Sequence, residues 1–281
     1  MNAVASWREQ LEARAIPTAI LDAAPESPWG FPSGIFRSRG KQALDREASP
    51  TTIRALEALP RGGRVLDVGC GGGATSLPLA GRAGVVVGVD AQEDMLDGFL
   101  ENARAAGVEA IAVHGRWPDV AGDGDVGDVD VAVAGHVLYN VGDLEPFVGA
   151  LTSSARRRIV FELTGRHPLH WMNDLWLRFH QLERPDGPTA NDAADALREL
   201  GYDPGIERVA TPALGGFDTE ADAVALVRRR LCLASDRDDE IADALGPRLR
   251  QRDGLWGAGP ADQELVTLWF DVNARDGGRS S

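Results

Sequence analysis

The sequence predicts an α/β protein whose sheet is mostly parallel and is covered by helices on both faces. Between residues 50 and 165, short apolar segments typical of buried strands alternate with segments typical of helices. A glycine-rich turn follows the first of these apolar segments, and an aspartate ends the second. This alternation is characteristic of βαβ units, in which a helical crossover joins two parallel strands.

The first sixty residues are predicted to form a helical cap before the sheet. A helix is expected at Trp7–Ala15, and residues 24–34 are rich in proline, glycine and aromatic side chains. Serine followed by proline at Ser49–Pro50 is typical of a helix cap and first turn. We therefore divide the chain into a cap, residues 1–60, and a main domain, residues 61–281.

The core elements follow in order. Strands are predicted at Arg64–Cys70, Val85–Asp90, Ala110–His114, Val129–Ala134 and Arg158–Leu163, and helices at Thr75–Arg82, Glu93–Ala106 and Asp143–Ala155. The strands are rich in aliphatic residues, which favour pleated, buried positions. Gly107 directly follows the second of these helices and is typical of a helix C-terminus.

After the fifth strand the pattern changes. Helices are predicted at His167–His180, Thr189–Leu200, Thr219–Leu233 and Ser235–Leu249, and strands at Ile206–Thr211 and Glu264–Asp271. The first of these helices carries several large aromatic side chains. We expect residues 165–185 and 217–255 to be lid segments, the second of them inserted before the last strand.

The segment from Arg64 to Leu79 contains the strongest functional signal. It reads as a buried strand, a glycine turn from Gly69 to Gly73, and the start of a helix. Glycines let a ligand approach the backbone, and a helix start directs amide groups at a carboxylate or phosphate. Asp90 follows about 20 residues later, where an acid accepts hydrogen bonds from ribose hydroxyls. The pattern predicts a site for a nucleoside-containing cofactor.

Asp67 distinguishes between the possible cofactors. The glycine spacing also fits a dinucleotide, but a carboxylate two residues before the first glycine would repel a pyrophosphate. S-adenosylmethionine carries an ammonium and a sulfonium, which an acid there would attract. The segment Val65–Gly73 closely resembles the first motif of class I S-adenosylmethionine-dependent methyltransferases, and Val87–Asp90 resembles the second. The resemblance covers residues 60–165 well and the rest loosely.

The resemblance implies a three-layer, doubly wound, seven-stranded sheet whose last strand lies antiparallel between the fifth and sixth, with S-adenosyl-L-methionine as cofactor. Helices are added at the N-terminus and before the last strand. The residues expected at the cofactor are Asp67, Gly69, Cys70, Gly71, Asp90, Gln92, Met95, Arg116, Trp117 and Gly135. Cys70 is expected there for its small size. An alternative for Met95 is a plain core residue.

The residues after the fourth strand bear on the acceptor. Ala134–Asn140 lacks the Asn/Asp-Pro-Pro-aromatic motif typical of enzymes that methylate nucleic acid bases. His136 lies at the sheet edge where substrates bind, and histidine has a suitable pKa for a general base. Positioning of the substrate is the alternative role. The predicted reaction is methyl transfer to a small organic molecule, on O, N or C.

Rival functions remain open at this point. A protein or RNA acceptor, or a non-catalytic cofactor-binding protein, also fits the motifs. A net charge of −14 and only two short arginine clusters, residues 156–158 and 228–230, argue against nucleic acid as a partner. His167 and His170 could share a face, but an amphipathic lid is favoured and no metal is predicted. The oligomeric state is left open.

Cellular location is also predicted. No apolar run reaches the ~18 residues of a membrane span. The N-terminus lacks an export pattern, and two cysteines, Cys70 and Cys232, do not make a disulfide framework. These features predict a cytoplasmic protein without a membrane partner.

Overall fold

The computed structural model describes residues 2–29, 47–213 and 216–272. The strands are β1 Gly63–Val68, β2 Ala83–Asp90, β3 Glu109–His114, β4 Val129–Gly135, β5 Ala155–Thr164, β6 Gly205–Pro212, β7 Leu249–Arg252, β8 Leu255–Ala258 and β9 Asp262–Asp271. The helices are α1 Ala3–Glu12, α2 Thr18–Ala23, α3 Pro50–Ala58, α4 Glu93–Ala106, α5 Leu144–Ser154, α6 Asn173–His180, α7 Ala190–Glu199, α8 Glu220–Arg230 and α9 Asp238–Leu245. None of these helices has the length and apolarity needed to cross a membrane.

Seven strands form the main sheet, in the order β3-β2-β1-β4-β5-β9-β6. The first five strands along the chain are parallel to one another, whereas β9 runs antiparallel to both β5 and β6. The predicted mostly parallel sheet, with its last strand between the fifth and sixth, is confirmed. The strand order reverses between β1 and β4, which is where α/β sheets bind ligands.

Helices cover both faces of the sheet and give three layers. On one face, α3 and α4 bury residues such as Leu59 and Phe99 against β1, β2 and β4. On the other face, α1, α5 and α7 contribute Trp7, Phe147 and Leu197 to a larger cluster. Each helix is apolar on one side, as a layered α/β core requires.

Ser49 caps the start of α3 and Gly107 caps the end of α4, as the sequence predicts. The Ser49 side chain accepts a hydrogen bond from the Thr52 amide at the start of α3, and Gly107 closes α4 with a φ of 71°. A left-handed residue at this position satisfies the last helical carbonyls and suits glycine best.

The first crossover differs from its prediction. The helix predicted at Thr75–Arg82 is wrong: the segment forms turns and a single turn of 3₁₀ helix at Leu77–Leu79. One α-type hydrogen bond forms, from the Leu77 amide to the Gly73 carbonyl at 2.9 Å, but Gly73 has a φ of 83° and Pro78 lacks a backbone donor, and both disfavour an α-helix there. No α-helix N-terminus stands behind the glycine turn, and the amides of Gly69, Gly71 and Gly73 donate hydrogen bonds within the protein.

A third apolar cluster lies outside the two faces of the sheet. It joins α2, α6, α8 and α9, and its buried members include Ile16, Trp176, Leu231 and Ile241. We call this group of helices, with the β7–β8 hairpin, the cap cluster. The segment predicted as a helix at His167–His180 is a 3₁₀ turn followed by the shorter α6.

The inserted segment also differs in detail from its prediction. The helix predicted at Ser235–Leu249 is interrupted: α9 ends at Leu245, and β7 begins at Leu249. The β7–β8 hairpin was not predicted. Its strands are four residues each, too short to show a clear alternation of apolar and polar residues.

Arginines fasten the N-terminal segment to the cap cluster. Arg228 on α8 lies 3.4 Å from Glu26 and 3.2 Å from Asp238. Arg14 is 6% exposed and donates to the carbonyl of Pro185 and to the side chain of Asn173. Burial, followed by repulsion from another arginine, lowers the pKa of Arg14 to about 10. These contacts hold the two segments together although they are far apart in sequence.

Candidate active site

The candidate site lies at the carboxyl ends of the parallel strands. It brings together the glycine turn after β1, Asp90 at the end of β2, His136 directly after β4 and Glu162 near the end of β5. Parallel strands bring their carboxyl ends to one edge of the sheet. Residues separated by almost a hundred positions in sequence therefore meet there.

The glycine turn requires its glycines. Gly69 and Gly71 have φ values of 68° and 49°, in the left-handed region that disfavours side chains. A Cβ atom at Gly69 would stand 2.5 Å from Cγ2 of Val137. Val137 follows His136, so the close approach places the segment after β4 directly against the turn.

Asp90 joins two turns of the backbone. Its Oδ2 accepts a hydrogen bond from the Gly71 amide at 3.0 Å, and its Oδ1 accepts one from the Gln92 amide at 3.1 Å. A carboxylate oxygen has two lone-pair directions, so each oxygen retains capacity for another donor. The partly exposed carboxylate can therefore accept from hydroxyls while it holds the glycine turn in place.

Asp67 is the most unusual group in the site. It is 1% exposed, and its Oδ2 accepts a hydrogen bond of 2.5 Å from the Ser76 hydroxyl. Its Oδ1 is buried without a hydrogen-bond partner. Burial, with the negative charges of Asp90 and Glu162 adding to it, raises the pKa of Asp67 to about 7. A buried, unpartnered carboxylate oxygen is costly unless a ligand completes it.

The remaining predicted cofactor residues fall into two groups. Gln92 is exposed just before α4, and Arg116 is exposed after β3. Met95, in the first turn of α4, is buried. The Cys70 side chain is also buried, in the cluster that contains Phe99, and burial raises the pKa of its thiol. The sulfur of Cys70 therefore points into the core.

Trp117 and Gly135 have close neighbours of their own. The Trp117 indole N–H donates to the carbonyl of Phe147 at 3.1 Å, and its ring packs against the larger cluster. The indole donor is therefore engaged within the protein. Gly135 ends β4 so close to the Thr75 hydroxyl that a Cβ atom would collide with it. Both residues lie beside the site, and neither has a side-chain hydrogen-bond donor free to bind a ligand.

His136 is held by Glu162. The His136 amide donates to the Glu162 carbonyl at 2.7 Å, and Nε2 of its ring lies 3.4 Å from Oε1 of the Glu162 side chain. His136 has a φ of 59°, an unusual value for a residue with a side chain. Such strained residues persist where the surroundings determine them, often at functional sites. The histidine side chain is 45% exposed and the glutamate side chain 16%.

Glu162 was not predicted from the sequence. The available signal was an acid within the apolar run from Ile159 to Leu163, near the carboxyl end of a buried strand. Burial would raise the pKa of Glu162, but its hydrogen bond to His136, the charge of that ring and a hydrogen bond from Thr51 hold the pKa below its ordinary value. Thr51 in turn hydrogen-bonds Thr267 at 2.8 Å.

The other histidines near the site bind the backbone. Nδ1 of His167 accepts from the Leu169 amide at 3.1 Å, and Nδ1 of His170 lies 3.0 Å from the His167 carbonyl. Burial, then the charges of Arg14 and Arg184, lowers the pKa of His167 to about 3. In the described part of the chain, no three acidic, histidine or cysteine residues are grouped as metal ligands.

The charges of the site match a cationic ligand. The negative charges of Asp90 and Glu162 act on Asp67. His136, beside Glu162, can take up a proton and become positive. A ligand with an ammonium and a sulfonium would offset this excess and complete Oδ1 of Asp67. The donor set therefore fits S-adenosylmethionine.

Comparison with known proteins agrees with this fit. Residues 65–156 match the family model described as a methyltransferase domain. The ubiquinone biosynthesis O-methyltransferase of Rhizobium johnstonii is 30% identical over 146 residues, which cover 47% of this chain and 56% of that protein. The enzyme of the same name from Rhizobium rhizogenes is 28% identical and covers 63% of this chain and 82% of that protein.

A solved structure shares the fold. A cyclopropane-fatty-acyl-phospholipid synthase-like protein from Lactobacillus casei matches with a TM-score of 0.51 and 15% identity, covering 94% of this chain and 99% of that one. The chain spans little more than half the length of the first curated relatives, 56% and 55%. Residues 65–156, which match a methyltransferase domain, include the glycine turn and Asp90, and the strand order of the sheet is the one expected for a class I S-adenosylmethionine-dependent methyltransferase.

Proposed function

We propose that the protein transfers a methyl group from S-adenosylmethionine to a small organic acceptor by in-line displacement. The observation that carries the proposal is Asp67, a buried acid with one unpartnered oxygen in a cluster of carboxylates. A cationic ligand explains why the fold retains this arrangement. A pyrophosphate-containing ligand would add negative charge to it.

The residues of the candidate site have separate roles in binding and catalysis. When bound, S-adenosylmethionine supplies a methyl group on a positively charged sulfur. Asp67 attracts the positive charges of the methionine part, and Asp90 accepts hydrogen bonds from the ribose while it braces the glycine turn. His136, next to that turn, holds the acceptor and takes its proton. Arg116, Gln92 and the backbone around Trp117 border the adenine.

We propose that α2 with the residues after it up to Trp29, and the segments 165–185 and 217–255, close over the acceptor. His167 packs edge-on against Tyr139, with ring centroids 5.3 Å apart, and Tyr139 lies three residues after His136. This supports placing the segment above the ends of β4 and β5. Phe31, a further aromatic residue of the expected lid, lies outside the described residues.

Parts of the cap, residues 1–60, pack in different places. α3 contacts β4, β5 and β9, α1 contacts α7, and α2 belongs to the cap cluster. The lid proposal therefore depends most on α2 and on the residues that follow it up to Trp29, which is 56% exposed. These residues are joined to the inserted segment by Arg228 and Arg229.

A small-molecule acceptor is supported by two observations. The curated relatives named above are ubiquinone biosynthesis O-methyltransferases. The two arginine clusters, which a nucleic acid would need, are engaged with acids: Arg156 with Asp128, Arg157 with Asp130, Arg158 with Glu57 and Asp271, and Arg228 with Glu26 and Asp238. Engaged arginines contribute little to binding phosphates.

Calorimetry with S-adenosylhomocysteine tests the proposal. The wild-type protein is expected to bind with at least micromolar affinity, about −8 kcal/mol. Asp90→Ala should weaken binding by about 1.5–3 kcal/mol, the usual effect of losing hydrogen bonds to a charged group. Asp97→Ala, which removes an exposed acid from α4, is the matched control and should leave the affinity unchanged.

Two outcomes would contradict the proposal. One is no heat and no thermal shift with millimolar S-adenosylhomocysteine. The other is binding of NADH in preference to it, which would assign the glycine turn to a dinucleotide.

A further inference from the structure

We propose that Glu162 positions His136 as the base, and that the group it deprotonates is an acidic hydroxyl, a phenol or an enol, on the methyl acceptor. This inference rests on the proposed methyl transfer and names the acceptor class for the same site.

Backbone and side chain of Glu162 both hold the histidine. Gly135 pairs with Glu162 between β4 and β5, and the next amide, that of His136, donates to the Glu162 carbonyl at 2.7 Å. This bond helps to keep His136 at a φ of 59°, an unfavourable conformation for a residue with a side chain. The ring lies beside the same glutamate, whose Oε1 is 3.4 Å from Nε2.

The contact determines which ring nitrogen acts. With Nε2 turned toward a carboxylate, the neutral ring keeps its proton on Nε2 and leaves Nδ1 as the acceptor. The histidine side chain is 45% exposed, whereas that of Glu162 is 16% exposed, so the imidazole is the more accessible of the two groups. A substrate reaches the imidazole without reaching Glu162.

Glu162 is kept ionised to do this. Burial opposes the charge, but His136 and the hydroxyl of Thr51 hold the pKa of Glu162 below its ordinary value. Thr51 is itself fixed by Thr267, 2.8 Å away, and both threonines are nearly fully buried. An ionised carboxylate beside the ring stabilises the imidazolium that forms when a proton arrives.

The need for a base selects the acceptor. A lone pair on the hydroxyl oxygen forms the new bond to the methyl carbon, the bond from that carbon to sulfur breaks, and its electron pair stays on sulfur. The hydroxyl proton moves to Nδ1 and then to water. A neutral amine attacks without prior loss of a proton, and an alkyl alcohol is too weak an acid for imidazole. A phenol, with a pKa of about 10 like tyrosine, is within its reach.

The first test needs no acceptor. In a ¹³C titration of the side-chain carboxyls, Glu162 should titrate below its ordinary range in the wild type. It should move upward in His136→Gln, because the ring's hydrogen bond and charge are lost and burial remains. An unchanged Glu162 titration in a folded variant that still binds S-adenosylhomocysteine would overturn the inference. Failure of the wild type to bind that product would instead overturn the proposed function.

The second test uses labelled S-adenosylmethionine with catechol, a hydroxybenzoate, aniline, an alkylamine and an alkyl alcohol. Product should form from the phenols, and His136→Gln should reduce kcat by about 10²–10⁴. Glu162→Gln should lower kcat with little change in KM, and Glu162→Asp should restore part of it. Asp97→Ala, which removes an exposed acid from α4, is the control and should keep turnover within about twofold.

Two outcomes of the second test would overturn the inference. One is methylation confined to the amines or the alkyl alcohol. The other is phenol methylation that does not respond to His136 or Glu162. If no compound reacts, the assignment of the acceptor class is overturned, and the carboxyl titration still tests the contact between Glu162 and His136.

Discussion

Replacing Asp67 with asparagine is expected to stabilise the cofactor-free protein at pH 8 and to weaken its binding of S-adenosylhomocysteine. Asp67 is buried, shares its surroundings with Asp90 and Glu162, and has one oxygen without a partner. Asparagine keeps the shape and the acceptor for Ser76, and it removes the charge. Opposite effects on stability and affinity would identify a residue retained for binding.

The pH dependence of stability follows from the raised pKa. The folded protein holds the Asp67 proton more tightly than the unfolded chain does, because the folded pKa is about 7 and the ordinary value is 3.8. The stability supplied by this proton is fully present below about pH 4 and is lost as the pH rises through 7. The difference sets a ceiling of about 4 kcal/mol. The advantage of Asp67→Asn over the wild type should therefore grow between pH 5 and pH 8.

Affinity should change with pH in the opposite sense. The product keeps the α-ammonium of the methionine part, which favours ionised Asp67, so its binding should release a proton below pH 7 and strengthen as the pH rises through 7. In Asp67→Asn the affinity at pH 8 should fall by about 1.5–3 kcal/mol, and its pH dependence should flatten. Calorimetry in two buffers of different ionisation enthalpy measures both the affinity and the released proton.

A control variant separates the effect of removing a buried acid from the effect of removing any acid. Asp97→Asn removes an exposed carboxylate from α4 and should change neither stability nor affinity beyond about 0.5 kcal/mol. A wild-type affinity that is flat from pH 5 to pH 8, or an Asp67→Asn protein that is less stable than the wild type at pH 8, would contradict the assignment.

The sheet could be predicted from the sequence because its signals are local and repeated. The aliphatic run of each parallel strand and the glycine turn after the first one each report on a few neighbouring residues. The position of β9 between β5 and β6 is different, because no local pattern encodes a sheet order. It came from the resemblance of one short segment, Val65–Gly73, to a family.

The errors arose where local signals compete. Thr75–Arg82 contains residues that suit a helix, but the left-handed Gly73 and the missing donor of Pro78 disfavour one, and a 3₁₀ turn forms at Leu77–Leu79. Glu162 was missed for another reason. Its role depends on the pairing of β4 with β5, which brings it to His136 across 26 residues of sequence and cannot be read from either segment alone.

Replacing Trp7 with alanine is expected to reduce the free energy of unfolding by about 3–5 kcal/mol. The side chain is fully buried, its indole N–H donates to the Val141 carbonyl at 2.8 Å, and its ring stacks on Tyr139 with centroids 5.6 Å apart. Alanine would leave a cavity and an unsatisfied carbonyl. Because Val141 and Tyr139 continue the segment that begins at His136, the same change loosens the support of the candidate base.

Trp7→Phe separates the hydrogen bond from ring packing at Trp7, and a variant at Trp29 serves as the control. Trp7→Phe keeps an aromatic ring beside Tyr139 but loses the hydrogen bond to Val141, and it should cost about 1–2 kcal/mol. Trp29→Ala removes a tryptophan that is 56% exposed and should stay within about 0.5 kcal/mol of the wild type. Urea unfolding followed by circular dichroism measures all three, with equal slopes confirming that the unfolded state is unchanged. If Trp7→Ala and Trp29→Ala unfold at the same urea concentration, α1 does not anchor the segment after β4, because a docked, buried tryptophan cannot be removed without loss.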